Sequence, residues 1–485
     1  MLLKDLLKDI YGKPVAEKHQ SYNIRSIDCD SRKIKNGSLF IALPGTKYDG
    51  IEYAAQAVQK GALCIVKRRD QLFLPLKDDV CLLDVENIKD FLKSLTLRFY
   101  DNPSKDVQCV AVTGTNGKTT TTYLIENIIR TAGQKCGVIG TINCRFGNQT
   151  IKIDNTTPNL IDVCSYLSQM RSVGFRYCAM EVSSHALDQG RVDGLDFKVG
   201  VFTNLTQDHL DYHKDMESYF LAKTKLFSTL SPDAIAALNM DDPFGRRLAD
   251  MTSAQILSYG LKNDVDVFAS DIRLAFRGTK FILTIQNDQC EIETKLIGKY
   301  NVYNILAASA ACRALNIGIE HIRKGIESMT CVPGRLEPID CGQKFSIFVD
   351  YAHTDDALKN VLENLRIVKK AKIILVFGCG GNRDTTKRAK MGRVASELAD
   401  FSIITNDNPR DENPADIADA IVSGFKTKNY SVLLDRQEAI KKALDMAKSG
   451  DVVLVAGKGH ETYQIAKDQV APFDDRQVIR ELLSC

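Results

Sequence analysis

Residues 107 to 119 constrain this chain more than any other stretch. A mostly apolar run, Val107 to Val112, has the length of a buried strand and leads into Gly114-Thr-Asn-Gly117-Lys118-Thr119. Tyr123, Leu124, Ile128 and Ile129 then recur at helical spacing. Strand, glycine-rich turn and helix N-terminus together make a phosphate cradle. Backbone N–H groups and the helix dipole point at the anion, and glycine permits close approach. Lys118 is placed to reach outer phosphates, and the Thr119 hydroxyl to sit on a magnesium ion. The match to the motif GxxxxGK(S/T) is incomplete, because its first glycine would fall on Val112. The competing reading is an ordinary glycine turn; the flanking strand and helix favour phosphate binding.

At 485 residues the chain is too long for one core, and the usual domain size implies about three. Breaks are expected at the Asp101-Asn-Pro-Ser104 turn and near Val332-Pro-Gly-Arg335, giving domains 1–104, 105–332 and 333–485. In the first, strands are expected at Ser38 to Leu43, Ala62 to Lys67 and Val80 to Val85, with helices near Ile51 to Lys60 and Ile88 to Tyr100. In the second, apolar strands follow at Cys136 to Ile139, Tyr177 to Val182, Val199 to Thr203 and Ala234 to Leu238, most of them separated by helices. That pattern is a parallel sheet covered on both faces. The polar, alternating stretch Val265 to Leu296 reads as an antiparallel excursion, and Val302 to Leu315 as a helix. The third region repeats the α/β alternation with strands at Phe345 to Val349, Ile373 to Phe377, Phe401 to Thr405 and Val452 to Ala456.

A net charge of +3 leaves no nucleic-acid footprint. The start, Met1 to Tyr11, reads as an amphipathic helix rather than a signal peptide, and no apolar run approaches the length of a membrane span. The fourteen cysteines are scattered without a CxxC pair and read as reduced thiols, so a cytoplasmic enzyme is expected.

Polar residues gather after the expected strands, where open α/β sheets bind ligands. Glu181 opens Glu-Val-Ser-Ser-His185 and can share a magnesium with Thr119. The next strand ends in Thr203-Asn-Leu-Thr-Gln-Asp-His-Leu-Asp-Tyr-His213, where Asn204, Asp208, His209, Asp211 and His213 can serve a metal or phosphate. The donors are mostly hard oxygens without cysteine, which suits magnesium better than zinc. In the third region, four polar loops follow four strands: Asp350-Tyr-Ala-His353, Gly378-Cys-Gly-Gly-Asn-Arg383, Asn406-Asp-Asn-Pro-Arg410 and Gly457-Lys-Gly-His-Glu461. Arg383 and Arg410 offer planar forks for carboxylates, and Glu461 an acceptor for an ammonium group. For either arginine alone a surface salt bridge is the better reading; together the loops favour one face of a site.

These segments, with Thr113-Gly-Thr-Asn-Gly-Lys-Thr-Thr120, Asn301-Val-Tyr-Asn304 and Pro333-Gly-Arg-Leu-Glu337, occur in the order found in the Mur ligases, and the resemblance covers essentially the whole chain. It implies a three-domain α/β architecture: a smaller α/β N-terminal domain for the UDP-sugar, a central parallel-sheet domain for ATP, and a Rossmann-like C-terminal domain for the amino acid. Asp30-Ser-Arg32, Asn155-Thr-Thr-Pro158 and Asp407-Asn-Pro-Arg410 point to the member adding meso-diaminopimelate to UDP-MurNAc-L-Ala-D-Glu. By the same resemblance, Gly114, Thr115, Asn116, Gly117, Lys118, Thr119, Thr120, Asn301, Asn304, Arg335 and Asp350 bind ATP. Ser31, Gly45, Asn155, Thr156, Thr157, Ser183, Gln189 and Arg191 hold the UDP-muramoyl dipeptide, and Arg383, Asp407, Asn408, Arg410, Gly457 and Glu461 the diaminopimelate. Two magnesium ions are implied, on Thr119 and Glu181 and on His209 and Lys223, the last matching a lysine carbamylated by carbon dioxide. Lys118, Glu181, His209 and Lys223 are thus the expected catalytic group, in a monomer.

The chain departs from the family pattern at Asp355, usually Pro, and Asn382, usually Asp. Competing readings are a lysine-adding relative, which should lack Arg410, folylpolyglutamate synthase, which should lack the Asn155 and Asp407 motifs, and a nucleotide-dependent switch or binding module without ligase chemistry.

Overall fold

The computed structural model describes residues 1–45, 48–72, 79–368 and 371–484. Its main feature is an eleven-stranded sheet. Read across, the strands are Asp288–Thr294, Gly278–Ile285, Val267–Ala275, Gln255–Gly260, Ile235–Asn239, Phe197–Phe202, Gln108–Thr113, Tyr177–Glu181, Cys136–Ile139, Cys144–Phe146 and Gln149–Ile151. The seven from Val267–Ala275 to Cys136–Ile139 are parallel, and antiparallel pairs extend both edges. The excursion expected at 265–296 is the pair of hairpin turns on one edge.

The strand Gln108–Thr113 shows how the sequence builds both faces. Val110 and Val112 point into a core with helices Lys118–Thr131 and Lys299–Ala314; Cys109 and Ala111 point oppositely, toward Leu160–Ser172 and Met216–Ser228. From this strand the chain winds to one side through Tyr177–Glu181, then crosses to Phe197–Phe202 on the other. That reversal is the crevice where a doubly wound sheet receives its ligand. Registers Val112 to Glu181 and Thr113 to Phe202 bring the three strand ends level there.

The C-terminal region forms a six-stranded sheet in the order Glu337–Ile339, Ser346–Asp350, Val452–Ala456, Ile373–Phe377, Phe401–Ile404 and Tyr430–Val432; only the first is antiparallel. This order sets the four polar loops side by side. A separate hairpin, Tyr463–Ala466 with Gln469–Pro472, follows the last of them. The N-terminal sheet is four parallel strands, Ser26–Asp28, Ser38–Ile41, Ala62–Arg68 and Cys81–Val85.

Two expectations change. The first helix is only Leu3–Leu7, because Asp9 turns into left-handed backbone at φ 61° and ends it; Leu3, Leu6 and Leu7 still anchor it in the core. Among the described residues twelve cysteines are free, nine of them buried, but Cys341, half-buried in the turn after Glu337–Ile339, is disulfide-bonded rather than reduced. Among the described residues no helix is long and apolar enough to cross a membrane.

Candidate active site

The glycine turn takes a shape only glycine permits. Gly114 and Gly117 have φ of 147° and 89°, and a Cβ at Gly117 would strike Asn304 Oδ1. The turn is fixed from the neighbouring strand end. Asn204 Oδ1 accepts from Asn116 N at 2.9 Å, and Thr203 Oγ1 donates to Asn116 O at 2.6 Å. Lys118 opens the helix Lys118–Thr131 and folds its ammonium back onto the carbonyls of Gly114 (2.9 Å) and Thr115 (2.8 Å). Burial holds its pKa below the usual lysine range, against the pull of Glu181 and Asp208. Thr115 Oγ1 pairs with the Tyr219 hydroxyl at 3.2 Å, and Thr120 is buried in the first helical turn.

Glu181 is the hub. Only 1% exposed, it accepts Thr119 Oγ1 at 3.0 Å and Thr141 Oγ1 at 2.9 Å on Oε2, and the Thr141 N–H at 2.9 Å on Oε1. Thr141 escaped the sequence reading, although it follows the strand Cys136–Ile139 at the same sheet edge. A threonine hydroxyl beside a carboxylate is a hard-oxygen pair that fits a magnesium ion.

The second cluster lies beyond Phe197–Phe202. His209 sits in left-handed backbone at φ 54°, 4.8 Å ring to ring from His185, which packs in turn on His213 at 5.4 Å. Burial pushes the His209 pKa down to about 4, reinforced by His185, Lys118 and Lys223 and opposed by Asp208, so the ring is neutral near pH 7. Lys223 is 1% exposed, donates to the same Gly114 carbonyl at 3.0 Å and lies 4.5 Å over the Tyr219 ring. Burial, with Lys118 nearby, draws its pKa well below the usual range. His209 and an unmodified lysine do not by themselves make an oxygen site for magnesium; a carbamate on Lys223 would supply the missing anionic oxygens.

The C-terminal sheet meets this edge directly. Arg335 Nη2 donates to Thr119 Oγ1 at 3.0 Å, with its guanidinium 4.9 Å from the Tyr351 ring. Asp350 is buried, accepts from Leu336 N (2.6 Å) and Ala352 N (2.8 Å), and has its pKa raised by burial against the pull of Arg335. Asn304 Nδ2 donates to Asn301 Oδ1 at 3.0 Å, and Asn301 Nδ2 to Ile297 O at 2.9 Å. Asp356 bridges the two sheets, accepting from Asn116 Nδ2 at 2.9 Å and Thr206 Oγ1 at 2.8 Å. The departure at Asp355 is benign: it starts the helix Asp355–Val368, where a carboxylate suits the dipole.

On the other flank, Thr157 is fully buried and braces Glu181, donating to its carbonyl at 2.9 Å and accepting from Ser183 N at 3.0 Å. Thr156 Oγ1 pairs with Thr141 Oγ1 at 3.1 Å, and Asn155 is exposed beside them. Ser183 caps the helix Ser184–Asp188, and Arg191 grips Thr157 O at 2.8 Å and Gln189 Oε1 at 2.7 Å. Ser31 and Gly45 belong to the N-terminal sheet's loops, Ser31 donating to Gln56 Oε1 at 2.6 Å.

The four C-terminal loops form one face. Asn408 Nδ2 donates to Glu461 Oε2 at 2.9 Å, and fully buried Lys458 reaches both Asn408 Oδ1 and Glu461 Oε2 at 3.3 Å. Gly457, at φ 111°, makes room for Asp407 Oδ2, which would lie 2.6 Å from any Cβ there. Arg410 spends Nη1 on Gly381 O at 2.8 Å. Its backbone joins the hairpin, donating to Ile465 O at 3.1 Å and accepting from Lys467 N at 2.7 Å. Arg383 is exposed at the loop tip. Asn382 adopts φ 52°, which asparagine tolerates, and accepts from Asp411 N at 3.1 Å, tying the Arg383 loop to the Arg410 loop. Lys152, near Asn155, lies 5.2 Å over the Tyr463 ring, so the hairpin also touches the central sheet's flank.

Comparison with known proteins agrees with this layout. Residues 23–100 match the Mur ligase family catalytic domain, 112–312 the Mur ligase middle domain, and 334–459 the Mur ligase glutamate ligase domain. UDP-N-acetylmuramoyl-L-alanyl-D-glutamate–2,6-diaminopimelate ligase of Bacillus cereus is 43% identical over 490 residues, covering 100% of this chain and 99% of the relative. The ligase of the same name from Geobacillus kaustophilus is 45% identical over 466 residues and 94% of each chain. A solved structure of a ligase of that name superposes with a TM-score of 0.69 at 30% identity, over 100% of this chain and 99% of the other. The chain belongs to the Mur ligase family.

Proposed function

We infer that this protein is an ATP-dependent ligase that joins meso-diaminopimelate to the D-glutamate γ-carboxylate of UDP-MurNAc-L-Ala-D-Glu, a step of peptidoglycan precursor synthesis in the cytoplasm. The observation that carries the reading is the meeting of two faces. A phosphate cradle backed by Glu181 is joined through the Arg335 to Thr119 bond to a four-loop face carrying Arg410, Asn408 and Glu461. A switch would need the first face and not the second.

A carboxylate is a poor acylating agent, so the γ-carboxylate first takes the terminal phosphoryl group of ATP, releasing ADP. The free amine then attacks the acyl phosphate, the amide forms, phosphate leaves and the amine gives up a proton. The loop N–H groups and Lys118 cradle the phosphates. Arg335 adds charge to the nucleotide's outer end, while Asn301, Asn304 and Asp350 line its approach. Thr119 and Glu181 would hold one magnesium ion, and His209 with carbamylated Lys223 a second. When bound, these ions neutralise charge accumulating on the transferred phosphoryl group. Lys223 suits carbamylation because its buried amine is held by a carbonyl and an aromatic face. Ser31, Gly45, Asn155, Thr156, Gln189 and Arg191 serve the UDP-muramoyl dipeptide, and Thr157 and Ser183 keep that wall in place. Arg383, Asp407, Asn408, Arg410, Gly457 and Glu461 take the far end of diaminopimelate. Lysine lacks the second carboxylate and would leave the Arg410 donors not held by the Gly381 carbonyl without their anionic partner. We place domain boundaries near 104 and 332 and expect a monomer.

Phosphate release from ATP, measured with the UDP-muramoyl dipeptide and either meso-diaminopimelate, L-lysine or no amino acid, tests the reading. Release only with diaminopimelate is expected. Release with lysine would overturn the selectivity, and release indifferent to amino acid would overturn the ligase.

A further inference from the structure

The largest fully buried side chain in the described structure is an arginine outside every motif considered above. Arg436 opens the helix Arg436–Met446, and Asp475 opens Asp475–Leu482; both side chains are 0% exposed. The guanidinium makes a two-pronged pair, Nε to Oδ1 at 2.7 Å and Nη2 to Oδ2 at 2.8 Å. It does not stop there. Nη1 donates to Asn406 O at 3.1 Å, and Nη2 also donates to Ala456 O at 3.0 Å.

These two carbonyls immediately precede Asp407 and Gly457. They belong to separate strand-end loops, yet one planar group spans both and is itself oriented by Asp475. The gap between the loops has little slack, since a Cβ on Gly457 would approach Asp407 Oδ2 to 2.6 Å. Across the same gap, Asn408 bonds Glu461. A buried ion pair contributes less to stability than well-packed apolar residues of similar size often would. Its distinctive product here is geometry: a rigid fork that fixes two backbones relative to each other.

We infer that Arg436, held by Asp475, is a positioning residue that sets the spacing of the 406–410 and 457–461 loops and so governs capture of the amino acid substrate. This rests on the assignment of that face to diaminopimelate. The test is steady-state phosphate release by Arg436→Lys and by the double variant Arg436→Met/Asp475→Leu, which removes both charges together. Each is compared with wild type for all three substrates. The expected result is a KM for diaminopimelate raised about tenfold or more, the scale of losing a hydrogen bond to a charged group. KM for ATP and for the UDP-muramoyl dipeptide should stay within about twofold. Should the double variant fail to fold, Arg436→Lys, which keeps the charge and loses the fork, carries the test alone. An unchanged KM for diaminopimelate in a folded variant, or an equal rise for all three substrates, overturns the positioning role. A wild type that ignores diaminopimelate would instead sink the assignment of the face.

Discussion

Replacing Glu181 with Gln separates the charge of the hub from its shape. The carboxylate accepts three hydrogen bonds, two from the hydroxyls of Thr119 and Thr141 and one from the Thr141 N–H. A glutamine can keep its oxygen on the N–H and turn its NH2 toward the hydroxyls, which reverse and accept. Each bond weakens by roughly 1 kcal/mol when the charged acceptor becomes neutral. Against this, the variant no longer keeps a carboxylate that is 1% exposed out of water, a penalty of several kcal/mol in general. The two nearly cancel, so stability should shift by about 1–2 kcal/mol, or a few degrees in Tm. Catalysis has no such compensation. An anion facing the phosphate cradle is lost, and turnover should fall on the order of 10²–10³-fold, as when a preorganised electrostatic group is removed. Phosphate release with all substrates, titrated with magnesium and paired with a melting curve, reads both quantities. Near-normal turnover with an unchanged magnesium requirement would refute the placement of a metal at Thr119 and Glu181.

Arg410→Lys keeps the charge and loses the planar fork, so the preference for diaminopimelate over lysine, as a ratio of kcat/KM, should shrink by about tenfold or more; an unchanged ratio would remove Arg410 from selectivity. Lys223→Ala should lose most activity, roughly 10²-fold, and small carboxylates in the buffer should restore part of it; near-normal turnover would exclude the carbamate. Acid should destabilise the fold in a defined window. Burial lowers His209 to about 4 and His460 to about 3, from 6.5 unfolded. The unfolded chain therefore binds more protons between those values, and stability is full above about 6.5 and lost as pH falls toward 3–4. Chemical unfolding from pH 7.5 to 4.5 checks the sign, and His460→Gln should flatten the slope.

The sequence revealed the parallel strands and their ligand-bearing ends because both are written locally. Val110 and Val112 alternate with Cys109 and Ala111, and the Gly-Lys-Thr turn follows without a gap. Short edge strands such as Cys144–Phe146 and Gln149–Ile151 carry too few apolar residues to show a period, and the first appears only once Cys136–Ile139 is there to pair with it. Thr141 and Arg436 were illegible for another reason. Nothing near either residue hints that it meets Glu181, or the carbonyls of Asn406 and Ala456, because those partners arrive from other strands. Asp9 shows the opposite error: a helical pattern continued on paper past a residue whose backbone had already turned.

The hairpin after Glu461 has a consequence for how amino acid choice can change. Arg410 is held by two backbone bonds to the hairpin, which care only about register and not about which side chains the hairpin carries. Its outer strand, Gln469–Pro472, is exposed along its whole length. Substitutions along it can therefore accumulate while Arg410 stays where it is. An insertion or deletion of one residue in the inner strand would instead turn alternate side chains to the opposite face and present a different group to the substrate. New specificities in this scaffold are thus expected to arise by small length changes in the hairpin, with the parallel sheets beneath left untouched.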